Sequence, residues 1–191
     1  MKNKILTLFM GVVLLAVIVA VVKNRQATFG SEGLIIGYSI DNLINSSELI
    51  VIGEVKAILP SRWNGPNGRN DPENASRDEI ARAGGLFTDS QILITQILKG
   101  DNKEPIIRVR SFVGETKQVK WVNDSELSLG LRKHYLLFLV KDAGSTALVD
   151  RGDYLSVGAF QGVYEIIDGK AISKNDEWLL EELIAYIQKT L

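Results

Sequence analysis

Residues 5–22 read ILTLFMGVVLLAVIVAVV, an uninterrupted stretch without a single charged side chain. As a helix rising ~1.5 Å per residue it would be about 27 Å long, close to the ~30 Å hydrocarbon core of a bilayer. It has no polar face to turn toward water, which excludes an ordinary surface helix. A cleaved signal peptide would place small residues after a shorter apolar core. Lys23 and Arg25 stand there instead. The run is therefore expected to be an uncleaved, single-pass signal anchor. The α-amine, Lys2 and Lys4 outnumber the two positive charges that follow, which favours a cytoplasmic N-terminus and a body outside the cell membrane. Ala16 and Ala20 have the small-xxx-small spacing that can seat a second copy of such a helix. Residues 1–4 then form a short basic tail. Residues 23–38, with Gly30, Gly33 and Gly37, form a tether, and residues 39–191 form a single domain.

Composition narrows what that domain can do. The chain carries 22 basic and 23 acidic residues, and Lys2 and Lys4 belong to the leader. The remainder is mildly acidic, unlike a strongly basic nucleic-acid binder. A hydrophobic content of 46% excludes wholesale disorder. The chain has no cysteine and one histidine. That excludes a disulfide framework, Cys-ligated metals, a Cys nucleophile and sites built on paired histidines.

The body reads as closely spaced strands with few helices. Residues 39–45 (SIDNLIN) bring Ile40, Leu43 and Ile44 together at helical spacing, with Ser46 and Ser47 as a stop. Residues 49–59 form the first strand, with Gly53 marking a bulge or sharp bend. Residues 60–85, rich in Gly, Pro and Asn, are expected to be a long loop with a short helix near 77–83. Strands follow at 87–98 and 105–113, then a polar stretch at 114–130. Residues 134–141 (HYLLFLVK) are apolar on both faces, as a central strand requires. Short strands are expected at 146–149, 154–157 and 162–167, and Asp168-Gly169 turns a hairpin into 170–172. Residues 175–191 close the chain as a helix capped by Ser173 or Asn175, with Leu180, Leu183, Ile184, Ile187 and Leu191 on one stripe. The expected fold is mainly β, a small antiparallel barrel with a covering C-terminal helix, preceded by one transmembrane helix.

The segments SSELIVIGEV, QILITQILKG, IRVRSFVGE, LGLRKHYLLFLV and GAFQGVYEIIDGKAI occur in that order over residues 39–172. The order resembles the OB-fold domains of the netrin-module and tissue-inhibitor-of-metalloproteinases-like class, most of all their cysteine-free bacterial relatives behind a signal or anchor. Leu98-Lys99-Gly100 and the Gly-x-x-x-x-Tyr-Leu-Leu stretch at 130–137 carry the likeness. The resemblance implies an OB-like barrel. The animal inhibitors chelate a protease zinc through an N-terminal cysteine, which this chain lacks, so no inhibitory residue carries over.

No phosphate-loop, dinucleotide or Gly-x-Ser-x-Gly pattern is present in the sequence. The chain is accordingly expected not to be an enzyme and to need no cofactor. His134 reads as a structural residue at a strand edge. The carboxylate pairs Asp71/Glu73 and Asp124/Glu126 read as solvated loop groups, and Arg151-Gly152-Asp153 as a plain turn. The oxygen-rich loop residues Asn64, Asn67, Asn70, Asp71, Glu73 and Asp78 do not have calcium-loop spacing, so no metal is assigned. Candidate partner-binding residues are Trp63, Asn67, Arg69 and Asp71 on the long loop, and Arg108, Arg110 and Phe112 on one strand face. The expected function is recognition of an envelope protein, a protease being suggested by the resemblance alone. A carboxylate-dependent hydrolase outside the cell is one alternative. A cytoplasm-facing OB-type nucleic-acid binder using Arg108, Arg110 and Phe112 is the other, disfavoured by charge and by the expected sidedness.

Overall fold

The computed structural model describes residues 27–31, 37–63, 75–126, 128–142 and 154–191. In chain order the elements are β1 (Ala27–Ser31), α1 (Ile40–Ser46), β2 (Leu49–Ile58), β3 (Arg62–Trp63), α2 (Arg77–Arg82), β4 (Leu86–Lys99), β5 (Ile106–Ser111), β6 (Gly114–Glu115) and β7 (Val119–Asn123). They continue with β8 (His134–Lys141), β9 (Tyr154–Ser156), a 3-10 turn (Ala159–Gly162), β10 (Val163–Ile167), β11 (Lys170–Ile172), β12 (Glu177–Leu179) and α3 (Leu180–Thr190).

Strands β2, β4, β5, β9 and β8 pair in that order, and β8 returns to β2, so the five close into a barrel. All these pairings are antiparallel except β5–β9, which is parallel. Side chains alternate across each strand, and both faces of β2 and β8 are buried. Leu49, Val51, Val55, Tyr135, Leu137 and Leu139 fill the barrel with Ile92, Ile107 and Val109. Ile50, Ile52, Leu136 and Phe138 point outward into a second core under Leu43, Ile44, Leu183 and Ile187 of the two helices. This explains the doubly apolar 134–141 segment. Along its second edge β8 pairs first with β10 and then with β9. Strands β10, β11 and β12 extend the sheet beyond the barrel.

Local chemistry sets the ends of the elements. The Ser39 side chain accepts from the Asn42 N–H and caps α1, and Lys99 Nζ donates to the Ile44 carbonyl at 2.6 Å near its other end. Ser76 and Glu79 make a reciprocal capping box on α2. Asp168 and Gly169, both at positive φ, turn the β10–β11 hairpin.

Several expectations change. The C-terminal helix starts at Leu180 rather than Asn175, and neither Ser173 nor Asn175 caps it. The Ser173 hydroxyl instead accepts from the Asp176 N–H at 3.1 Å, and the turn leads residues 177–179 into pairing with β11. On the expected stripe Leu183 and Ile187 are buried, whereas Leu191 is exposed. Part of the segment read as a tether forms β1, parallel to β7, and the polar stretch at 114–130 contains β6 and β7. The long loop is tied down at both ends by β3 and α2. The apolar run 5–22, Ala16 and Ala20, the expected strand at 146–149 and the Arg151–Asp153 turn lie outside the described residues. Among the described residues no helix is long and apolar enough to cross a membrane.

Gly53 sits at a register irregularity between β2 and β4, as its place in an apolar strand suggests. A Cβ there would meet Ile92 Cγ2 at 2.5 Å and the Leu93 carbonyl oxygen at 2.8 Å. The sheet backbone has to move to admit it. Gly53→Ala should cost about 1–3 kcal/mol in urea unfolding. Gly37→Ala, where no atom lies within 4 Å of the added carbon, should leave the midpoint unchanged.

Candidate functional site

A cleft of about 590 Å³ opens at one end of the barrel. Its walls come from the end of β2 and the residues after it, the start of β4, the end of β5, the β6–β7 hairpin and the loop before β8. Inside the barrel the inward positions on β4 and β5 carry Ile92, Ile107 and Val109. Toward the cleft they change to Thr88, Ser90 and Ser111. Hydroxyls at positions where a barrel normally keeps aliphatic side chains signal a built polar site. Thr88 Oγ1 donates to the Val113 carbonyl at 2.8 Å and lies 3.0 Å from Ser61 Oγ, which accepts from the Glu115 N–H at 2.9 Å. Ser90 is 3% exposed and lines the cleft.

Glu126 brings a carboxyl into the same cleft. The turn that carries it is fixed by Asn123, whose side-chain oxygen accepts from the Ser125 N–H at 2.9 Å and whose carbonyl accepts from the Glu126 N–H at 3.0 Å. Burial pushes the Glu126 carboxyl up to about 7, and the hydrogen bond it accepts from the Phe112 backbone N–H only partly offsets this. Trp121 forms another wall and packs against Gly85, whose backbone approaches the indole so closely that a Cβ would lie 2.2 Å from it.

The opposite faces of the same strands hold a different arrangement. Asp89 on β4 and Arg110 on β5 are register partners. Arg110 Nε and Nη2 donate to the two Asp89 oxygens at 2.8 and 3.1 Å. Arg62 on β3 also donates to Asp89, and Arg110 Nη1 lies 3.4 Å from Asp142 Oδ2. The Arg110 guanidinium stacks over Phe87, 4.0 Å from the ring centroid. Burial alone would raise the Asp89 carboxyl, but Arg110 and Arg62 outweigh it and hold it below the ordinary aspartate range.

These positions revise the candidate residues. Arg110 is 1% exposed and engaged in the ion pairs, so it does not present a cation to solvent. Trp63 is also 1% exposed and sits in a small core with Ala75, Ile80, Leu86 and Val119. Its indole N–H has no acceptor among the described residues. Arg108 and Phe112 are half-buried, whereas Asn67, Arg69 and Asp71 lie outside the described residues. His134 is exposed at the start of β8 opposite Glu54, as a strand-edge residue would be. Asp124 is exposed, but Glu126 is not the solvated loop carboxylate expected. Among the described residues no group of three His, Asp or Glu side chains is placed to hold a metal ion. The sequence signal that points to the cleft is the pair of inward serines on otherwise apolar strands. Compared with known proteins, the chain matches no family model and no curated protein sequence.

Two outcomes follow from these charges. Asp89→Ala should destabilise the fold by about 3–5 kcal/mol in chemical denaturation, because Arg110 stays buried without its main partner. Replacing Asp89 with Leu and Arg110 with Met together should cost less than Asp89→Ala alone. Glu126, raised in the folded chain, favours the fold in its neutral form. That contribution is complete below about pH 4.5 and is lost as pH rises through about 7. The loss should be on the order of 3 kcal/mol, and Glu126→Gln should remove this slope from the stability–pH curve.

Proposed function

We propose that this chain is a single-pass, membrane-anchored, extracytoplasmic binding domain that captures an envelope protein at the open end of its barrel. The observation that carries this reading is the 590 Å³ cleft, which sets hydroxyls and a carboxyl into a largely apolar wall and has a mouth formed by the β6–β7 hairpin and the loop after β2. Five strands closed through β9 support an OB-like assignment. In OB-folds the face of the second and third barrel strands is a common ligand surface. Here that outer face carries the buried Asp89–Arg110 pair, which weakens the nucleic-acid reading and leaves the barrel end as the better ligand site. The resemblance to protease inhibitors keeps a protease among the candidate partners.

The anchor fits this arrangement. With residues 5–22 in a bilayer, the five peptide steps from Val22 to Ala27 reach at most about 18 Å. Strand β1 begins at Ala27 and pairs with β7, whose residues line the cleft. The mouth would then work close to the membrane surface, within reach of other membrane-held proteins. A second reading, a carboxylate-dependent hydrolase, is favoured by one observation. Glu126 is poised near neutrality, as a general acid or base must be, with Glu115 lining the same cleft.

The absence of native cysteine makes the test direct. Single cysteines at Lys120 or Ser128, on the cleft, and at Glu182, on α3, would carry a benzophenone maleimide in cells expressing the full chain. A discrete adduct from the cleft positions and none from Glu182 is the expected result. Equal adducts from all three, or none from the cleft, would overturn the binding reading. A membrane-impermeant maleimide should label Lys120→Cys in intact cells, and labelling only after lysis would overturn the extracytoplasmic placement.

A further inference from the structure

Within the reading of the barrel-end cleft as the binding site, we infer that the cleft takes a basic side chain of the partner, a lysine ammonium or arginine guanidinium seated on Glu126 and the serine hydroxyls. Three observations converge on that chemistry. First, Glu126 reaches the cleft from the loop before β8, and its carboxylate accepts a hydrogen bond from the Phe112 N–H. No cation among the described residues contributes to its charge balance. Second, Ser90 is 3% exposed and lines the cleft beside Thr88 and Ser111, so three hydroxyl-bearing side chains face the space that Glu126 enters. Third, the remaining wall is apolar, with Leu59, Val113, Val122 and Leu129 around the stem of any side chain that enters.

A lysine or arginine side chain matches these features from tip to stem. Its N–H groups donate both to the carboxylate and to hydroxyl oxygens, and its methylenes cover the apolar wall. The charged groups that share the cleft are Glu115 from β6 and Lys120 from β7, both exposed and opposite one another in register. The walls from β2, β4 and β5 contribute hydroxyls and aliphatic groups there. A volume of 590 Å³ lies within the range of side-chain and small-ligand sites. A neutral ligand would leave the carboxyl protonated and gain nothing from ionising it. A cationic one binds the ionised form, so its affinity must depend on pH.

The test uses the full chain in detergent micelles. The probes are N-acetyl-lysine methylamide and N-acetyl-arginine methylamide. N-acetyl-norleucine methylamide is the uncharged control, and glycerophosphoethanolamine represents a lipid amine. Binding is followed by equilibrium dialysis of the probes for every variant and, in the native chain, by the carboxyl carbon-13 resonance of Glu126. A basic probe should bind at least about tenfold more tightly than norleucine amide, weaken about tenfold for each pH unit below 7, and lower the pH at which Glu126 titrates. Glu126→Gln should abolish both the preference and the pH dependence, and Ser90→Ala should weaken binding severalfold, each with an unchanged melting profile at about pH 4, where Glu126 of the native chain is neutral as well. Equal binding of norleucine amide, or binding independent of pH, overturns the inference. Preference for glycerophosphoethanolamine over both amino-acid probes overturns the assignment to a protein side chain and gives the site to a lipid amine. A cleft adduct that survives in Glu126→Gln while the basic probes fail to bind would overturn this inference and leave the binding reading intact.

Discussion

The structure depends on how a three-residue strand closes the barrel. Tyr154–Ser156 pairs in parallel with β5 and antiparallel with β8, joining the two edges that the other strands leave open. Closure removes the exposed strand edges that would otherwise invite aggregation. It also creates an enclosed interior for Val51, Val55, Ile107, Leu137 and their neighbours. Because β9 needs only the later part of β8, the earlier part is free to pair with β10 and extend the sheet. The second core beneath α1 and α3 therefore rests on the outside of strands whose inside is already packed.

The alternation of side chains along β4 and β5 lets one pair of strands serve two purposes. Phe87, Asp89 and Arg110 face outward into a buried ion-pair network that ties in Arg62 and Asp142. Thr88, Ser90 and Ser111 face the opposite way, into the cleft. A buried ion pair need not add net stability, since desolvation offsets much of the attraction. Its effect is to make one arrangement of β3, β4 and β5 strongly preferred, because any slip leaves charges unpaired. The cleft thus inherits rigid walls from chemistry on the far side of the same strands.

The cleft combines a rigid frame with an unbalanced charge. The Asn123 turn and the Phe112 N–H hold Glu126 in position, yet burial disfavours its ionised form. The proposed anchoring keeps this end of the barrel near the membrane through β1 and β7. The proposed recognition of a basic group rests on the Glu126 carboxyl and the hydroxyls beside it, while Lys120 at the same cleft stands opposite Glu115. The outer strand face, rich in Arg by sequence, has its key charge already satisfied within the fold.

Periodicity and turn chemistry made much of the fold legible. The doubly apolar 134–141 segment, the Asp168-Gly169 hairpin, the bulge at Gly53 and the short helix at 40–46 follow from local rules. The signals that failed were those in which two local preferences compete. Ser173 and Asp176 resemble a helix start, but pairing with β11 was available to residues 177–179 and shortened the helix. For the site, the sequence supplied residue types without their environments. Arg110 and Trp63 looked like contact residues, and Glu126 looked solvated, because burial is decided by strands and loops distant along the chain. The sequence by itself determined the apolar run, the cysteine-free chemistry and most strand positions, since these depend on neighbours within a few residues. Only the tertiary structure decided that Asp89 would meet Arg110 and that Glu126 would enter a cleft, since those outcomes depend on long-range register and on which surfaces lose water when the barrel closes.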